Sequence, residues 1–359
     1  MNLIELHMLQ SFPVSCLNRD DVGAPKSAVF GGCQRARVSS QCWKRAIREL
    51  AQEQGDDLFK GQRTRFVVRA LESELASRGL DETAARELAL AIAEALGKVD
   101  DPEKGNVKTL LYFSPMELAA VVDATLEQDY MKVLKTVVDD DAEEKAREKA
   151  RKSLGKVAKV AAKALAAHAK DAADIAIFGR MVADDHTLMI EGAGLFSHAL
   201  STHAADNEID FFSAVDDMKD VAGHIGTVEF NSACYYRYVG LNLGLLGENL
   251  GNEFSEEERK QVITTFLRAA VMAVPTARKN SMFGFNPPRH VLALKRSGQP
   301  LSLVNAFETP VRSNGGYVKS STQAMGEHWA GLKDLYNLTV DVEATLPPES
   351  LDDLIAKLI

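Results

Sequence analysis

Cysteine is scarce in this 359-residue chain, and the four present (Cys16, Cys33, Cys42 and Cys234) form no CxxC pair and no Cys/His cluster with ligand spacing. That excludes a zinc ribbon or a disulfide framework and points to the reduced, mostly buried thiols of a cytoplasmic protein. No run of about 18 uncharged apolar residues occurs, so neither a membrane span nor a membrane partner is expected. The start, Met1-Asn2-Leu3-Ile4-Glu5, lacks the basic head and apolar stretch of a signal peptide. A Walker A loop is missing, and Gly192-Ala193-Gly194 lacks the third glycine of a dinucleotide loop. His198 and His203 stand five apart, off one helical face, and Asp184-Asp185-His186 reads as a surface turn before a metal site. No cofactor, no metal and no catalytic group are therefore expected.

Acid is missing from residues 259–307, which hold eight basic side chains. Residues 19–48 hold seven (Arg19, Lys26, Arg35, Arg37, Lys44, Arg45 and Arg48) against Asp20 and Asp21. The whole chain is at −9, yet these windows carry +5 and +8, which leaves −22 on the remainder. The global sum argues against a generally basic nucleic-acid binder. Its segregation suits a polyanion-binding face on an acidic body, against the blander reading of two solvated faces. Composition is otherwise globular, at 46% hydrophobic and 26% charged, and the length suits two domains or one decorated domain.

Along the chain, Ile4, Leu6 and Met8 alternate with Glu5 and His7, as in a strand. A loop with Gly31-Gly32 follows, and then a helix over about 39–54, capped by Ser39 or Ser40. Trp43, Ala46, Ile47 and Leu50 fall at its core spacing. Gln41, Lys44, Arg45 and Arg48 line the opposite face, which phosphate oxygens would suit. Residues 59–175 read as almost wholly helical, with breaks near Gly79, Gly97 to Gly105 and Ser114-Pro115. Strand character returns at Ile175–Met181 and about 225–243. A helix over 255–273, a strand over 290–296 and a helix after Ser320 complete the pattern. Without the helical insertion, the order β–α–β…β–α–β predicts an α+β, ferredoxin-like or RRM-like core. Between strands, 191–224 carries Thr202-His203 and the aromatic pair Phe211-Phe212 among acids. It reads as a projecting arm that meets a base or a neighbouring subunit, or as a local mini-core under a loop.

Several ordered segments resemble the CasC backbone subunits (the Cas-seven family) of subtype I-E CRISPR Cascade complexes. They are Ser15-Cys16-Leu17-Asn18-Arg19-Asp20-Asp21, Phe30-Gly31-Gly32, Arg37-Val38-Ser39-Ser40-Gln41, Thr202-His203 with Asp210 to Asp217, and Ala306-Phe307-Glu308. The resemblance implies a hand-shaped α+β protein with a modified RRM palm, helical fingers and a thumb. The palm would begin with 1–58 (strand, basic loop, helix), continue through a strand at 176–190 and end with 225–359. The fingers would be 59–175 and the thumb 191–224. It implies a non-catalytic subunit that polymerises, in about six copies, along a CRISPR guide RNA. The guide is displayed in segments for pairing with a target DNA strand. Other Cascade subunits (guide-processing cap, small subunits, large subunit) are the implied partners, and a recruited nuclease-helicase does the cutting. The implied RNA contacts are Arg19, Lys26, Ser39, Ser40, Gln41, Lys44 and Arg48, with Met181, His203, Phe211, Phe212 and Val215 as the base-displacing wedge. Such a grip through phosphates reads no sequence and suits any guide.

The chain departs from the family's pattern at Cys33 and Gln34, at Phe211 and around Thr309-Pro310-Val311-Arg312-Ser313, which bears on target-DNA contacts more than on the guide. The competing reading is a metal-dependent endoribonuclease of a related CRISPR backbone, with Asp20 or Asp21 at the scissile phosphate. Asp20 could equally pair with Arg19 or cap a turn. A protein-only scaffold is the other alternative, and it predicts a flat salt response.

Overall fold

The structure, a computed structural model, describes residues 1–127, 130–139, 141–165, 169–182, 188–216, 221–276 and 278–359. They form two compact units. One combines Met1–Gln54, Gly194–Gly244 and Ile263–Ile359, and the other combines Gly55–Ala193 and Leu245–Val262.

The first unit is built on an antiparallel sheet. Its strands run in the order Val342–Leu346, His290–Ser297, Asn2–Ser15, Val221–Asn242, Ala199–Ser201, Cys33–Val38 and Ser27–Phe30. The leading strand is central, flanked on one side by Val221–Asn242 and on the other by His290–Ser297. This confirms the α+β class. Leu3 to Gln10 are all buried, so the alternation of Leu6 and Met8 with Glu5 and His7 does not mark a wet face. Both faces are covered. On one, Leu9, Tyr236, Tyr238, Leu292 and Leu294 pack under Met325 and Trp329 of the helix Val318–Tyr336. On the other, Phe12 meets Trp43 of the helix Ser40–Gln54 at a centroid distance of 6.4 Å.

Burial on two faces makes partners for the inward charged groups necessary. Glu5 accepts from the Tyr238 hydroxyl at 2.7 Å and the Leu301 N–H at 2.8 Å, and it pairs with Arg296. The Arg237 guanidinium lies 3.6 Å over the Trp43 ring and donates to the Ala270 carbonyl at 2.8 Å; burial pulls its pKa down to about 9. His7 Nδ1 lies 3.0 Å from the Tyr236 hydroxyl, and burial lowers the imidazole pKa to about 3.

The long strand is also the source of the arm. Leu3 to Ser15 pair with it from Asn242 back to Asn231. Its outer part, from Phe230 back to Val221, leaves the sheet to pair with Glu208–Asp216 as a two-stranded ribbon. The arm expected over 191–224 is thus shorter at its start, since Gly194–Phe196 and Ala199–Ser201 are strands of the main sheet.

The second unit is mostly helical: Val67–Ser77, Glu82–Gly97, Pro115–Leu126, Tyr130–Val138, Glu144–Leu165 and Ala173–Phe178. Leu71, Leu88, Ile92, Val122, Leu154 and Ala158 share its core. Local chemistry starts these helices: Asp81 accepts from the Ala84 N–H at 2.9 Å, and Ser114 forms a capping box with Glu117. One expectation is corrected here. Ile175–Met181 is no strand but lies on the short helix Ala173–Phe178 and the turn after it, and 176–190 clusters with the helices. A short apolar run does not distinguish a buried strand from a buried helix. Gly179, at φ +77°, ends that helix, and Arg180 then exchanges two backbone hydrogen bonds with Ile190.

Candidate nucleic-acid interface

The basic loop after the leading strand is held by its own backbone. Asp20 Oδ1 accepts from the N–H groups of Val22 at 3.0 Å and Ala24 at 2.9 Å, closing an Asx turn. That turn, rather than a pairing with Arg19, is what Asp20 does. Lys26 N–H donates to the Asn18 carbonyl and accepts Arg37 N–H on its own carbonyl, both at 2.9 Å. Asn18 Oδ1 takes the Ser39 N–H at 2.9 Å, which ties the loop to the start of the helix Ser40–Gln54. Arg19 and Asp21 are exposed and Lys26 is half-buried. Among the described residues, Arg19 and Lys26 join no ion pair.

The helix start is less open than its sequence suggests. Ser39 is buried, and its hydroxyl accepts the Cys42 N–H at 3.3 Å, while the Ser40 N–H donates to His198 Nδ1 at 2.9 Å. Two of the donors that a phosphate could use are thereby occupied, and Ser39 acts as a cap. His198, which the sequence offers only as a poor metal candidate, accepts this bond. Burial lowers its pKa, followed by the charges of Arg37 and Lys26. Gln41 is exposed on the next turn, Ser40 and Arg48 are half-buried, and Lys44 Nζ lies 5.0 Å over the Phe196 ring. Ala51, not Leu50, completes the buried face with Trp43, Ala46 and Ile47.

Arg35 does not belong to this surface. It is fully buried and gives its guanidinium to four carbonyls: Phe30 at 3.2 Å, Ser201 at 3.0 Å, Phe307 at 2.9 Å and Glu308 at 3.1 Å. Phe30-Gly31-Gly32, the segment at Thr202-His203 and Ala306-Phe307-Glu308 therefore converge on one buried cation. Gly31 has φ +59°, and a Cβ there would stand 1.7 Å from the Glu308 carbonyl oxygen, so only glycine allows that approach. His203, expected in the base-displacing wedge, packs into the same scaffold. It is buried and stacked 3.6 Å from the Tyr317 ring, with Nδ1 2.8 Å from the Ala204 carbonyl and Nε2 accepting the Cys234 N–H at 3.1 Å.

The ribbon presents the aromatic pair. Phe211 is 67% exposed and Phe212 44%, with Ile209 and Ile225 also exposed. Phe211 pairs with Thr227 and Phe212 with Gly226, so strand alternation puts the two rings on opposite faces. A Cβ on Gly226 would lie 2.7 Å from Phe212 Cζ, which shows that this ring covers the glycine. Val215 pairs with Ala222 in the same ribbon; its side chain lies outside the described residues. Met181 belongs to the helical unit and is 78% exposed.

The second basic window disperses. Arg296 is buried against Glu5, Arg268 pairs with Asp352, and Arg259, a residue of the helical unit, bonds the carbonyls of Phe254 and Gly251 within that unit. Among the described residues no group of three His, Cys, Asp or Glu side chains is placed to hold a metal, and Asp184-Asp185-His186 lies outside them.

Comparison with known proteins places this arrangement. The model of the CT1975-like protein family matches residues 4–352. The chain belongs to this family. A chain of a solved "CRISPR RNA-guided surveillance complex, pre-nicking" is similar to this member at 27% identity and TM-score 0.79, covering 99% of this chain and 100% of that one. A chain of a second "CRISPR RNA-guided surveillance complex" shares the fold at 24% identity and TM-score 0.70, over 99% and 98% of the two. Comparison with curated proteins gives no match.

Proposed function

We propose that this protein is a non-catalytic backbone subunit of a CRISPR surveillance complex of the subtype I-E Cascade kind, bound to guide RNA in the cytoplasm. The observation that carries the reading is the full-length likeness to a chain of an RNA-guided surveillance complex. Arg19, Lys26, Gln41, Lys44 and Arg48, with Ser40 beside them, contact guide phosphates; Ser39 contributes by holding the helix start. Phosphate contacts give affinity without reading sequence. The ribbon with Phe211, Phe212 and Val215 displaces bases at intervals, since stacking on an aromatic ring tolerates every base; Met181, on the helical unit, offers an exposed apolar side chain of its own. About six copies follow one guide beside the other Cascade subunits, the target DNA strand pairs with the displayed segments, and a recruited nuclease-helicase cuts. Asp20 Oδ1 is taken up by its turn, which supports a binding role over the endoribonuclease alternative at that residue.

The test is to co-express the chain with its neighbouring subunits, purify the complex and sequence the RNA it holds. Guides of uniform length with repeat-derived ends are expected, and Lys26→Glu with Lys44→Glu should strip most of that RNA. A complex carrying no RNA, or random cellular fragments, overturns the assignment.

A further inference from the structure

Residues 278–289 form a loop that none of the roles above uses. Phe283 is 75% exposed and Phe285 is exposed beside it, on a segment carrying Arg278, Lys279 and Arg289 and no acid. Large rings in water on a basic, acid-free loop have no folding rationale. Its foot, in contrast, is pinned to the leading strand. Arg289 N–H donates to the Leu9 carbonyl at 2.8 Å, Gln10 Nε2 donates to the Asn286 carbonyl, and Gly284 approaches the Phe12 ring. Phe12 and Arg289 also line a cavity of about 550 Å³ with Lys319, Ser11, Ser232 and the Gly315-Gly316 turn, and no carboxylate faces it. At the other end of the loop, the buried Nε–H of Arg278 has no hydrogen-bond partner among the described residues. The loop therefore runs from Arg278 to a cavity rimmed by Arg289 and Lys319.

We propose that this loop and cavity are a second contact for single-stranded RNA, with Phe283 and Phe285 stacking on bases and Arg278, Lys279, Arg289 and Lys319 taking phosphates. The combination of aromatic platforms with a basic track is what sequence-independent single-strand binding requires. Charge selects the occupant: a polyanion matches four cations, whereas a second acidic copy of this chain would have to seat its own rings or carboxylates there. This inference rests on the RNA-binding reading and adds to it a site away from the helix Ser40–Gln54.

The test uses the full chain and a fluorescein-labelled single-stranded RNA of random sequence, followed by anisotropy at several salt concentrations. Phe283→Ala with Phe285→Ala should weaken binding about ten-fold or more. Lys279→Ala with Arg289→Ala should flatten the log–log salt slope by roughly 1.4. Thermal unfolding should match wild type in both, since these side chains are exposed. Unchanged affinity and slope, in a preparation where Lys26→Glu does weaken binding, overturn the loop contact alone. Variants that lose self-association without RNA, yet bind RNA as wild type does, assign the loop to an interface between copies and also overturn it. A wild-type chain that binds no RNA overturns both this contact and the function it rests on.

Discussion

Both units bury arginines, and Arg180 of the helical unit and Arg35 of the sheet unit are neutralised differently. In the helical unit, Arg180 meets the Glu117 carboxylate at 2.9 and 3.1 Å and donates to the Leu188 carbonyl at 2.9 Å. In the sheet unit, Arg35 meets carbonyl oxygens only, from segments far apart in sequence. The first arrangement is a charge pair on a capped helix, since Glu117 also closes the Ser114 box. The second is a knot that fixes the glycine loop, the Ser201 strand and the 307–308 turn. Both tie segments distant in sequence, Arg180 to Glu117 through a carboxylate and Arg35 to Ser201 and Phe307 through carbonyls.

Breaking the two arginines separates these roles. Arg180→Ala leaves Glu117 buried without its counter-charge and should cost about 3–5 kcal/mol. Arg35→Ala leaves only acceptors unpaired, each less costly than a stranded charge, and about 3 kcal/mol is expected. The sharper difference is in location. Hydrogen exchange should rise in 67–126 for the Arg180 variant, and in 27–38, 199–203 and 303–311 for the Arg35 variant. Arg35→Lys should rescue little, because an ammonium lacks the planar fork that reaches four carbonyls. A Lys variant as stable as wild type would show that the charge, not the fork, makes the tie.

Acid should weaken the units unequally. The folded pKa of His7 is lowered to about 3 against an unfolded value near 6.5, by burial first and Arg296 second. Between those values the unfolded chain holds a proton that the folded one refuses, so stability is full above about pH 6.5 and is lost as pH falls. From pH 7 to pH 5 the loss should be about 2 kcal/mol. His203, lowered by burial, acts in the same sense. No described residue of the helical unit is a histidine, and burial raises the Glu117 carboxyl, which acts in the opposite sense. Protection measured by hydrogen exchange at pH 5 should therefore drop in 2–15 and 230–242 before 67–97. Equal loss in both units would remove His7 as the cause.

The same contrast explains what is legible in the sequence. The helical unit declares itself in local signals: the break at Gly79, the Ser114-Pro115 start and charge pairs such as Glu148–Lys152 at 2.6 Å. The central strand and the helix Ser40–Gln54 are legible from periodicity as well. What escapes is non-local. Nothing near Arg35 in sequence marks it as buried rather than as one of seven surface cations, because its carbonyl partners arrive from Ser201 and Phe307. Glu5 and His7 look like a solvated edge because the groups that enclose them, Tyr236, Tyr238, Arg296 and Leu301, lie far along the chain. The same holds for the candidate site. Lys26, Gln41 and Phe211 stand exposed or half-buried where a ligand could reach them, whereas Ser39 and His203 group with them by position and in fact hold the scaffold.

The smallest effect gives the finest test of the comparison, because both units contain a capped helix with a similar bond. Asp81 caps Glu82–Gly97 at an exposed site, and Ser39 caps Ser40–Gln54 at a buried one. Asp81→Ala and Ser39→Ala should each cost about 1 kcal/mol, since each frees one backbone N–H from its acceptor. Their consequences should diverge beyond stability. The Asp81 change ends at its own helix, so RNA affinity should stay as in wild type. The Ser39 change loosens the point where Asn18 ties the basic loop to the helix, so affinity should fall a few-fold at unchanged salt slope. An unchanged slope means that no phosphate contact was removed, and the loss then reports positioning. A slope reduced by about 0.7 in Ser39→Ala would instead make that residue a direct phosphate contact.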